Sequence, residues 1–489
     1  MTLSRPFNRI RSAMIVSAVA AAVALPAASA SAVPPASTDW PSYERNIQHS
    51  SASFTDAAIT KTNAAHLKAK WTFNLPAPTK TGQPKATLWG SPTVVGGKVY
   101  IGSGTGVFYA LNATTGKIIW QRLLDYGLML NCASRGIAST ATVVPDPVSG
   151  KLTVYIAGSH LLYALDAATG AVVWKNSVGP SGGQTAGMYY NWSSPTVAGG
   201  RVFMGVSSDC EAFHVRAGAV SYNQHTGALQ HTYYDMPAGS FGGSIWSSPA
   251  TDGTSVWLTT GDPQVTSPTV GDSYSVVRLS ASTLVKQDRW RTSDTAAEDT
   301  DFGSTPVLFP ATIGGKAVSL VGACNKNGMF YAWNRNNLAA GPVWAKQVGN
   351  SAGNNFSICL GSGAYDYVQK VLYIASNTTT VNGVSVPGAL RAVNPSTGAY
   401  LWQQPLDCSP LGTPTLNGTT GLVAVPTYGC ASGKKPSVQI YNETTGAKLA
   451  TLPASSSVFS QPVFAEGLIF VGAGGSTSSG GGKLTAYGP

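Results

Sequence analysis

The sequence predicts an all-β protein, a β-propeller of about eight four-stranded blades, and three observations lead to this expectation. One turn pattern recurs at nearly constant spacing along most of the chain. A second turn, rich in serine and proline, precedes each copy, and short β-rich runs lie between the turns. Repeats of roughly 50 residues are typical of proteins in which one small sheet, such as a propeller blade, recurs along the chain.

The first turn has the pattern Asp/Asn-x-x-Thr-Gly and ends at Gly116, Gly170, Gly227, Gly398 and Gly446. The first two intervals are 54 and 57 residues, and the third, 171 residues, equals three units of 57. Two copies in that interval are degenerate, Arg278-Leu-Ser-Ala-Ser and Tyr331-Ala-Trp-Asn-Arg. Asx side chains cap such turns and glycine supplies the positive φ, so each copy predicts a turn between two strands.

The second turn is followed by a strand, and the first turn by a short strand that ends in an aromatic residue. The copies of the second, serine- and proline-rich turn are Trp89-Gly-Ser-Pro92, Trp192-Ser-Ser-Pro195, Trp246-Ser-Ser-Pro249, Gly303-Ser-Thr-Pro306 and Gly412-Thr-Pro414. Each unit therefore has about four strands and no helical periodicity. Such a sheet cannot bury both faces alone, but sheets stacked around an axis cover one another. We expect the recurrent Trp and Pro residues to dock one blade on the next.

Counting units from Trp89 gives about eight blades, although seven is also possible. The last strand run, from Gly467 to Val471, could share a blade with the run Lys70-Trp-Thr-Phe73 near the start of the repeats. Such sharing would close the ring.

The N-terminal residues have the features of a signal peptide. Arg5, Arg9 and Arg11 precede an apolar stretch that ends in small residues at Ala30-Ser-Ala32. We predict cleavage after Ala32, which gives a signal peptide over 1–32 and a single propeller domain over 33–489. No later segment is long and apolar enough for a membrane span, so we expect a secreted or extracytoplasmic protein.

The net charge argues against a nucleic-acid partner. Removal of three arginines lowers the formal charge from +10 to +7, that is, 28 basic minus 21 acidic residues. This excess is spread along the chain, without the cluster of basic and aromatic residues that lines a nucleic-acid groove.

The six cysteines favour disulfides, because their number is even and the protein is predicted to be exported. No CxxC or CxxCH motif is present, so neither a zinc ribbon nor a covalently attached haem is indicated. Spacing alone does not determine the pairing. Cys408 with Cys430 and Cys324 with Cys359 are candidates, since each pair lies within about one repeat.

The repeat resembles a known family. The stretch from Tyr163 through Gly170 to Trp174 is similar to the tryptophan-docking repeat of the pyrroloquinoline quinone (PQQ) propellers. These include quinoprotein alcohol dehydrogenases and polyvinyl-alcohol dehydrogenases. The segment Trp40-Pro-Ser-Tyr-Glu-Arg-Asn46 also resembles the start of the family's domain. The resemblance covers nearly all of the predicted mature chain and is specific for fold rather than for activity.

The resemblance implies a site in which PQQ binds at the axis of the ring beside a Ca²⁺ ion. In the family, a catalytic Asp takes the proton of an alcohol while hydride passes to the quinone, and the metal acts as a Lewis acid with oxygen ligands. Six positions of this chain match in the family's order. They are Arg135 at a PQQ carboxylate, Glu211, Asp262 and Asp301 at the metal, Trp246 stacked on the cofactor, Asp301 as catalytic base and Lys326 at the quinone oxygens.

The chain departs from the family's pattern at two of these positions and at Cys132. Cys132 lacks the vicinal cysteine of the family, Asp262 stands where the family has Asn, and Glu211 is displaced by one residue. Each match also has a structural interpretation. Asp262 and Asp301 could cap turns, Trp246 could dock blades, and Lys326 could lie in a solvated hairpin.

Two functional hypotheses follow. The first is an exported PQQ- and Ca²⁺-dependent dehydrogenase that oxidises an alcohol, either small or polymeric, and passes electrons to a separate acceptor such as a cytochrome. The second is a propeller that keeps the repeat but serves as a binding or scaffold module. If the first is correct, the carboxylates of Glu211, Asp262 and Asp301 converge at one end of the channel with Trp246 and Lys326.

Overall fold

The chain alternates short strands and tight turns, as the repeat predicts. The computed structural model describes residues 1–2, 38–126, 136–178, 188–208, 215–264, 267–293, 300–350, 359–475 and 481–489. Residues 35–489 form one compact unit, and the description below concerns that unit.

The strands group into eight sheets, here called blades and numbered along the chain. Two strands and a 3-10 helix come first: β1 (Ala52–Ser53), the helix Ala64–His66 and β2 (Lys68–Asn74). Blade 1 contains β3 (Thr93–Val95), β4 (Lys98–Gly102), β5 (Val107–Asn112) and β6 (Ile118–Leu123). Blade 2 contains β7 (Thr142–Pro145), β8 (Leu152–Ala157), β9 (Leu161–Asp166) and β10 (Val172–Ser177). Blade 3 contains β11 (Thr196–Ala198), β12 (Arg201–Val206), β13 (Gly218–Asn223) and β14 (Leu229–Tyr234).

The next three blades have the same order of strands. Blade 4 contains β15 (Ala250–Thr251), β16 (Ser255–Thr259), β17 (Ser275–Ser280) and β18 (Lys286–Arg291). Blade 5 contains β19 (Val307–Ile313), β20 (Lys316–Cys324), β21 (Met329–Asn334) and, after the 3-10 helix Leu338–Ala340, β22 (Pro342–Gln347). Blade 6 contains β23 (Ala364–Asp366), β24 (Val371–Val381), β25 (Val384–Val393) and β26 (Tyr400–Leu406).

The last two blades include strands from the N-terminal part of the chain. Blade 7 contains β28 (Thr415–Asn417), β29 (Leu422–Pro426), β31 (Ser437–Asn442) and β32 (Lys448–Pro453), with β1 added in parallel to β28. A separate ribbon pairs β27 (Cys408–Ser409) with β30 (Gly429–Cys430). Blade 8 contains β33 (Val463–Ala465), β34 (Leu468–Ala473), β35 (Lys483–Gly488) and β2, which pairs with β35.

The predicted propeller is therefore confirmed with eight blades, and the alternative of seven is excluded. The prediction that an early and a late strand run share one blade is also confirmed, because β2 and β35 are antiparallel neighbours. The first strands of successive blades contact one another, so they form the inner wall of the ring. The core lies between the blades, where the side chains of adjacent sheets interleave.

Tryptophans on the outer strands join neighbouring blades. The indole of Trp120 in blade 1 lies where a Cβ on Gly170 of blade 2 would be 2.5 Å away, and its Nε1 donates to the carbonyl of Ala167 at 3.2 Å. The same two contacts recur between Trp174 and the next turn, at Gly227 and Gln224. Any side chain at these glycines would displace the indole of the preceding blade. The glycine that ends each turn is therefore needed for the docking of one blade on the next.

A ring of hydroxyl side chains joins the blades near the axis. In each case a backbone N–H in one blade donates to the hydroxyl of the next. The donor and acceptor pairs are Ser91 to Thr140, Thr140 to Ser194, Ser194 to Ser248, Ser248 to Thr305, Ser362 to Thr413, and Gln461 to Ser91. The repeated Ser/Thr-Pro turn therefore supplies hydrogen bonds between blades as well as the bend.

The segment 40–53 crosses the inner strands of the ring. Its carbonyls at Pro41, Ile47, Gln48, Ser50 and Ser51 accept hydrogen bonds from inner strands of blades 2, 4, 5, 6 and 7. Burial raises the pKa of Glu44 in this segment to about 8, although Thr413 donates to its carboxyl at 2.9 Å. Burial lowers the pKa of the neighbouring His49 to about 3. Both side chains are therefore predominantly uncharged at neutral pH.

Two disulfides join described residues, Cys324–Cys359 and Cys408–Cys430. These are the two pairings that the spacing suggested. The other two cysteines, Cys132 and Cys210, and nearly all of the predicted signal peptide lie outside the described residues. In the part of the chain that the structure describes, no helix has the length and apolar character needed to cross a bilayer.

Candidate active site

Four of the six predicted site residues lie in loops at one edge of blades 4 and 5. Trp246 and Asp301 precede the first strands, β15 and β19, whereas Asp262 and Lys326 follow the second strands, β16 and β20. The first and second strands of each blade are antiparallel, so the start of one and the end of the other meet at the same edge. The order of strands alone therefore brings these residues to one end of the propeller.

Asp301 and Lys326 form an ion pair at the centre of this group. Lys326 Nζ lies 2.5 Å from Asp301 Oδ1, and the Asp301 side chain has no solvent exposure. Trp246 Nε1 donates to Asp301 Oδ2 at 3.3 Å, and Lys326 Nζ lies 5.2 Å from the centre of the Trp246 ring. The carboxylate is thus contacted on both oxygens, by a cation on one and by an indole N–H on the other. This pair compensates the charge of a carboxylate that is removed from water.

The turn that carries Lys326 is fixed by its own polar groups. The backbone N–H of Lys326 donates to the carbonyl of Asp301 at 3.0 Å. The Asn325 side chain accepts from the backbone of Asn327 at 2.9 Å, and Gly328 closes the turn with a φ of 84°. Asx and glycine residues are those that such a turn requires. The Asn-Lys-Asn-Gly sequence therefore presents the lysine directly beside the aspartate.

Trp246 packs closely against the backbone that follows Asp301. A Cβ on Gly303 would lie 2.5 Å from the Trp246 ring and 2.5 Å from Leu360. Gly303 is therefore enclosed between the indole and Leu360, and a larger residue does not fit without movement. Because Trp246 itself is half-buried, part of its surface remains accessible at this end of the ring.

Asp262 lies on a segment that runs beside Asp301. A Cβ on its neighbour Gly261 would be 3.2 Å from Asp301 Oδ2. The carbonyl of Asp262 accepts a hydrogen bond from Gly243 at 2.6 Å, and Gly261 donates to Ser244 at 2.9 Å. These bonds join the Asp262 segment to the Gly243–Trp246 segment. Two carboxylates and an indole thus come from segments that are tied to one another.

A buried aspartate beneath these segments was missed by the sequence analysis. A Cβ on Gly243 would lie 2.0 Å from Asp235 Oδ2. Burial, followed by repulsion from Asp272, raises the pKa of Asp235 well above its usual range. Asp272 is ion-paired with Lys286 at 2.6 Å and with Arg289 at 3.1 Å. Only the double glycine at 242–243 hinted at close packing here, and it did not identify Asp235.

The remaining two predicted residues, Arg135 and Glu211, lie outside the described residues. Their roles stay predictions. Among the residues that are described, no group of three or more His, Cys, Asp or Glu side chains is arranged to hold a metal ion. The Asp262 and Asp301 segments would therefore need a further ligand, which is the role predicted for Glu211.

Comparison with known proteins gives the class of this chain. The sequence family described as the β-propeller domain of glucose/ethanol/alcohol dehydrogenases matches residues 40–345. The chain belongs to this family of PQQ propellers. The family described as outer membrane protein assembly factor BamB matches a shorter stretch, residues 386–487.

Individual relatives match only part of this chain, at about 30% sequence identity or less. A polyvinylalcohol dehydrogenase of Pseudomonas sp. is 31% identical over 222 residues, which are 40% of this chain and 31% of that protein. A quinohemoprotein alcohol dehydrogenase of Comamonas testosteroni is 27% identical over 342 residues, 61% of this chain and 45% of that protein. The chain thus spans less than half the length of these relatives. The crystal structure of the Comamonas testosteroni protein has a TM-score of 0.68 at 19% identity, covering 92% of this chain and 80% of that one, which supports the fold.

The described residues have the chemistry that PQQ and Ca²⁺, the cofactors implied by the resemblance, would need. A partly accessible indole beside an ammonium group suits a planar anionic quinone, which can stack on the ring and accept from the cation. Carboxylate oxygens suit Ca²⁺, which takes hard oxygen ligands. Asp262 in place of the family's Asn keeps an oxygen donor and adds one negative charge.

Proposed function

We propose that this chain is a PQQ- and Ca²⁺-dependent dehydrogenase that oxidises an alcohol outside the cytoplasm. The observation that carries the proposal is the contact among Asp301, Lys326 and Trp246. The contact places a buried carboxylate, a cation and an indole at one end of a propeller of the alcohol dehydrogenase family. Replacing a buried ion pair by apolar side chains is often neutral for stability, so its presence favours a chemical role.

Asp301 is the proposed general base, which accepts the proton of the alcohol hydroxyl. In the structure its Oδ1 is paired with Lys326, so Lys326 has to release this oxygen before a proton can bind there. The oxygens of the quinone offer Lys326 an alternative partner. PQQ, when bound, supplies the two-electron acceptor that the side chains lack.

Trp246 and Arg135 are the proposed residues that hold the quinone. Trp246 would stack on its ring, since the indole packs closely against Gly303. Arg135 would bind a carboxylate of the cofactor by paired N–H donors. Lys326 completes the set as the cation closest to Asp301.

Glu211, Asp262 and Asp301 are the proposed ligands of Ca²⁺. The hydrogen bonds of Asp262 and Gly261 to the Gly243–Ser244 segment would hold the Asp262 carboxylate next to Asp301. A charged ligand in place of Asn would strengthen cation binding by electrostatic attraction.

Export and substrate rest on other features. The predicted signal peptide over 1–32 and two disulfides are typical of a protein in an oxidising compartment. Relatives named polyvinylalcohol dehydrogenase and quinone-dependent alcohol dehydrogenase suggest a small or polymeric alcohol. Since the chain has no CxxCH motif, a separate protein such as a cytochrome is the proposed electron acceptor.

A scaffold without activity is the second candidate. The match of residues 386–487 to the assembly factor BamB favours it, because that family shares the repeat. The two functions predict different results with purified protein. PQQ in the presence of Ca²⁺ should quench tryptophan emission and support dye-linked oxidation of alcohols. Absence of both effects would contradict the dehydrogenase and favour the scaffold.

A further inference from the structure

We propose that the Cys324–Cys359 disulfide positions Lys326 and Trp246 around Asp301, so that the site is fully formed only when this bond is present. The role of these three residues in chemistry rests on the proposed function. The positional claim itself rests on contacts at both ends of the disulfide.

One end of the disulfide leads directly to Lys326. Cys324 is the last residue of β20 and is separated from Lys326 by a single residue. Ser304 Oγ accepts from the backbone N–H of Cys324 at 2.7 Å and also bonds its carbonyl at 3.0 Å. Ser304 lies three residues after Asp301, and the Lys326 N–H donates to the Asp301 carbonyl. The cysteine backbone is therefore linked to both members of the ion pair.

The other end leads to Trp246. Cys359 precedes Leu360, which touches one side of Gly303 while the Trp246 ring touches it as well. Leu360 lies outside the strands, between β22 and β23. Because strand pairing does not fix Leu360, we infer that the adjacent disulfide is the covalent constraint that keeps Leu360 packed against Gly303. Both cysteines are buried, with exposures of 0% and 1%, so the bond is part of the packing behind the site.

The second disulfide differs in its surroundings. Cys408 and Cys430 lie opposite each other in the ladder of β27 and β30, so hydrogen bonds already hold their strands together. Cys408 Sγ contacts the carbonyl of Lys435, an exposed residue between β30 and β31. Loss of this bond should therefore leave the contacts of Asp301 unchanged. It provides a matched control within the same chain.

The test compares the double variant Cys324→Ala/Cys359→Ala with Cys408→Ala/Cys430→Ala in the full chain. The first readout needs no cofactor: the rate at which an amine-acylating reagent labels Lys326, followed by mass spectrometry, with exposed Lys117 of blade 1 as internal reference. The second is the PQQ concentration that half-quenches tryptophan emission, and the third is kcat and KM for an alcohol.

We expect the site variant to label Lys326 at least tenfold faster than wild type and to bind PQQ at least tenfold more weakly. The fall in activity should appear in kcat more than in the KM for alcohol. The control variant should match wild type within about twofold. Equal labelling of Lys326 in all three proteins would overturn the proposal. If wild type itself does not bind PQQ, the proposed function fails, whereas the labelling result still decides the positional claim.

A further variant covers the case in which the site variant does not fold. Leu360→Ala keeps the disulfide but removes the side chain that presses on Gly303. With the midpoint of thermal unfolding close to that of wild type, weaker PQQ binding would support the proposal. Wild-type PQQ binding by Leu360→Ala would contradict it.

Discussion

The ammonium group of Lys326 lies 2.5 Å from Asp301 Oδ1, and the backbone N–H of Lys326 donates to the Asp301 carbonyl. Side chain and backbone of the lysine therefore both bind the same aspartate. This double contact connects two blade-5 loops that are separated in sequence by β19 and β20. Any change at either residue should affect both the chemistry and the stability of this end of the ring.

Asp301→Asn should abolish most of the alcohol oxidation. An amide cannot take up the hydroxyl proton, so we expect kcat to fall by about 10²- to 10⁴-fold, the usual contribution of a general base. The measurement is dye-linked turnover with PQQ and Ca²⁺ present. Asp407→Asn, at an exposed aspartate, is the control and should retain wild-type kcat. A variant at Asp301 with full kcat would remove this residue from the mechanism.

Lys326→Met should destabilise the protein by leaving Asp301 buried without its cation. Breaking one side of a buried pair costs about 3 kcal/mol or more in the free energy of unfolding. Adding Asp301→Asn should recover a large part of that loss, because the uncompensated charge is then gone. Urea unfolding of wild type, the two single variants and the double variant gives the coupling free energy between the two side chains. Additive losses would mean that the two side chains do not interact in solution.

Gly303→Ala should disturb the Trp246 surface. The new methyl would lie 2.5 Å from both the indole and Leu360, so we expect a loss of about 1–3 kcal/mol from overpacking. PQQ binding should weaken in parallel, as measured by fluorescence titration. Gly429→Ala serves as the control, since its nearest neighbour would be 3.9 Å away. Equal effects of the two substitutions would argue against a special role for Gly303.

The stability of the ring should fall as pH rises, because of Glu443 between blades 6 and 7. Burial and the neighbouring Asp366 raise the pKa of Glu443 from 4.5 to about 9. The folded protein therefore holds a proton that the unfolded chain releases above pH 4.5. The contribution of Glu443 to the free energy of unfolding is therefore fully present below pH 4.5. Between pH 4.5 and pH 9 it falls by up to about 1.4 kcal/mol per pH unit.

Glu443→Gln should make this dependence less steep without abolishing it, because the buried carboxyls of Glu44 and Asp235 also have raised pKa values. The corresponding position of the blade-3 turn is already Gln224, so the amide suits the repeat. Thermal unfolding between pH 5 and 9 is the measurement, with Asp407→Asn as a surface control for the change in charge. If the midpoint of the Gln variant falls with pH as steeply as that of wild type, another group is responsible.

Much of the fold could be predicted because it depends on local rules. The turn with glycine at its end has a fixed backbone requirement, and the same turn recurs often enough to count the blades. Even the degenerate copy in blade 4 keeps the geometry, with Leu284 at a φ of 53° in place of glycine. Closure was also predictable, because the run Gly467–Val471, which contains most of β34, and the run Lys70–Phe73 of β2 could share one blade, and both lie in blade 8.

The site was only partly predictable. Trp246, Asp301 and Lys326 were found through their order along the chain, and their contacts follow from the common edge of blades 4 and 5. Asp235 could not be found in this way, because its burial depends on glycines of another segment. Likewise, the spacing of Cys324 and Cys359 suggested a bond but not its position behind Trp246.

The pairing of β2 with β35 has a consequence for how the protein is made. Residues 68–74 leave the ribosome long before their strand partner at 483–488 is synthesised. Until then β2 and β34 both present unpaired edges, which are prone to pair with other chains. The ring can close only after both strands are available in the same compartment. Truncation before Lys483 should therefore yield aggregates rather than a seven-bladed protein.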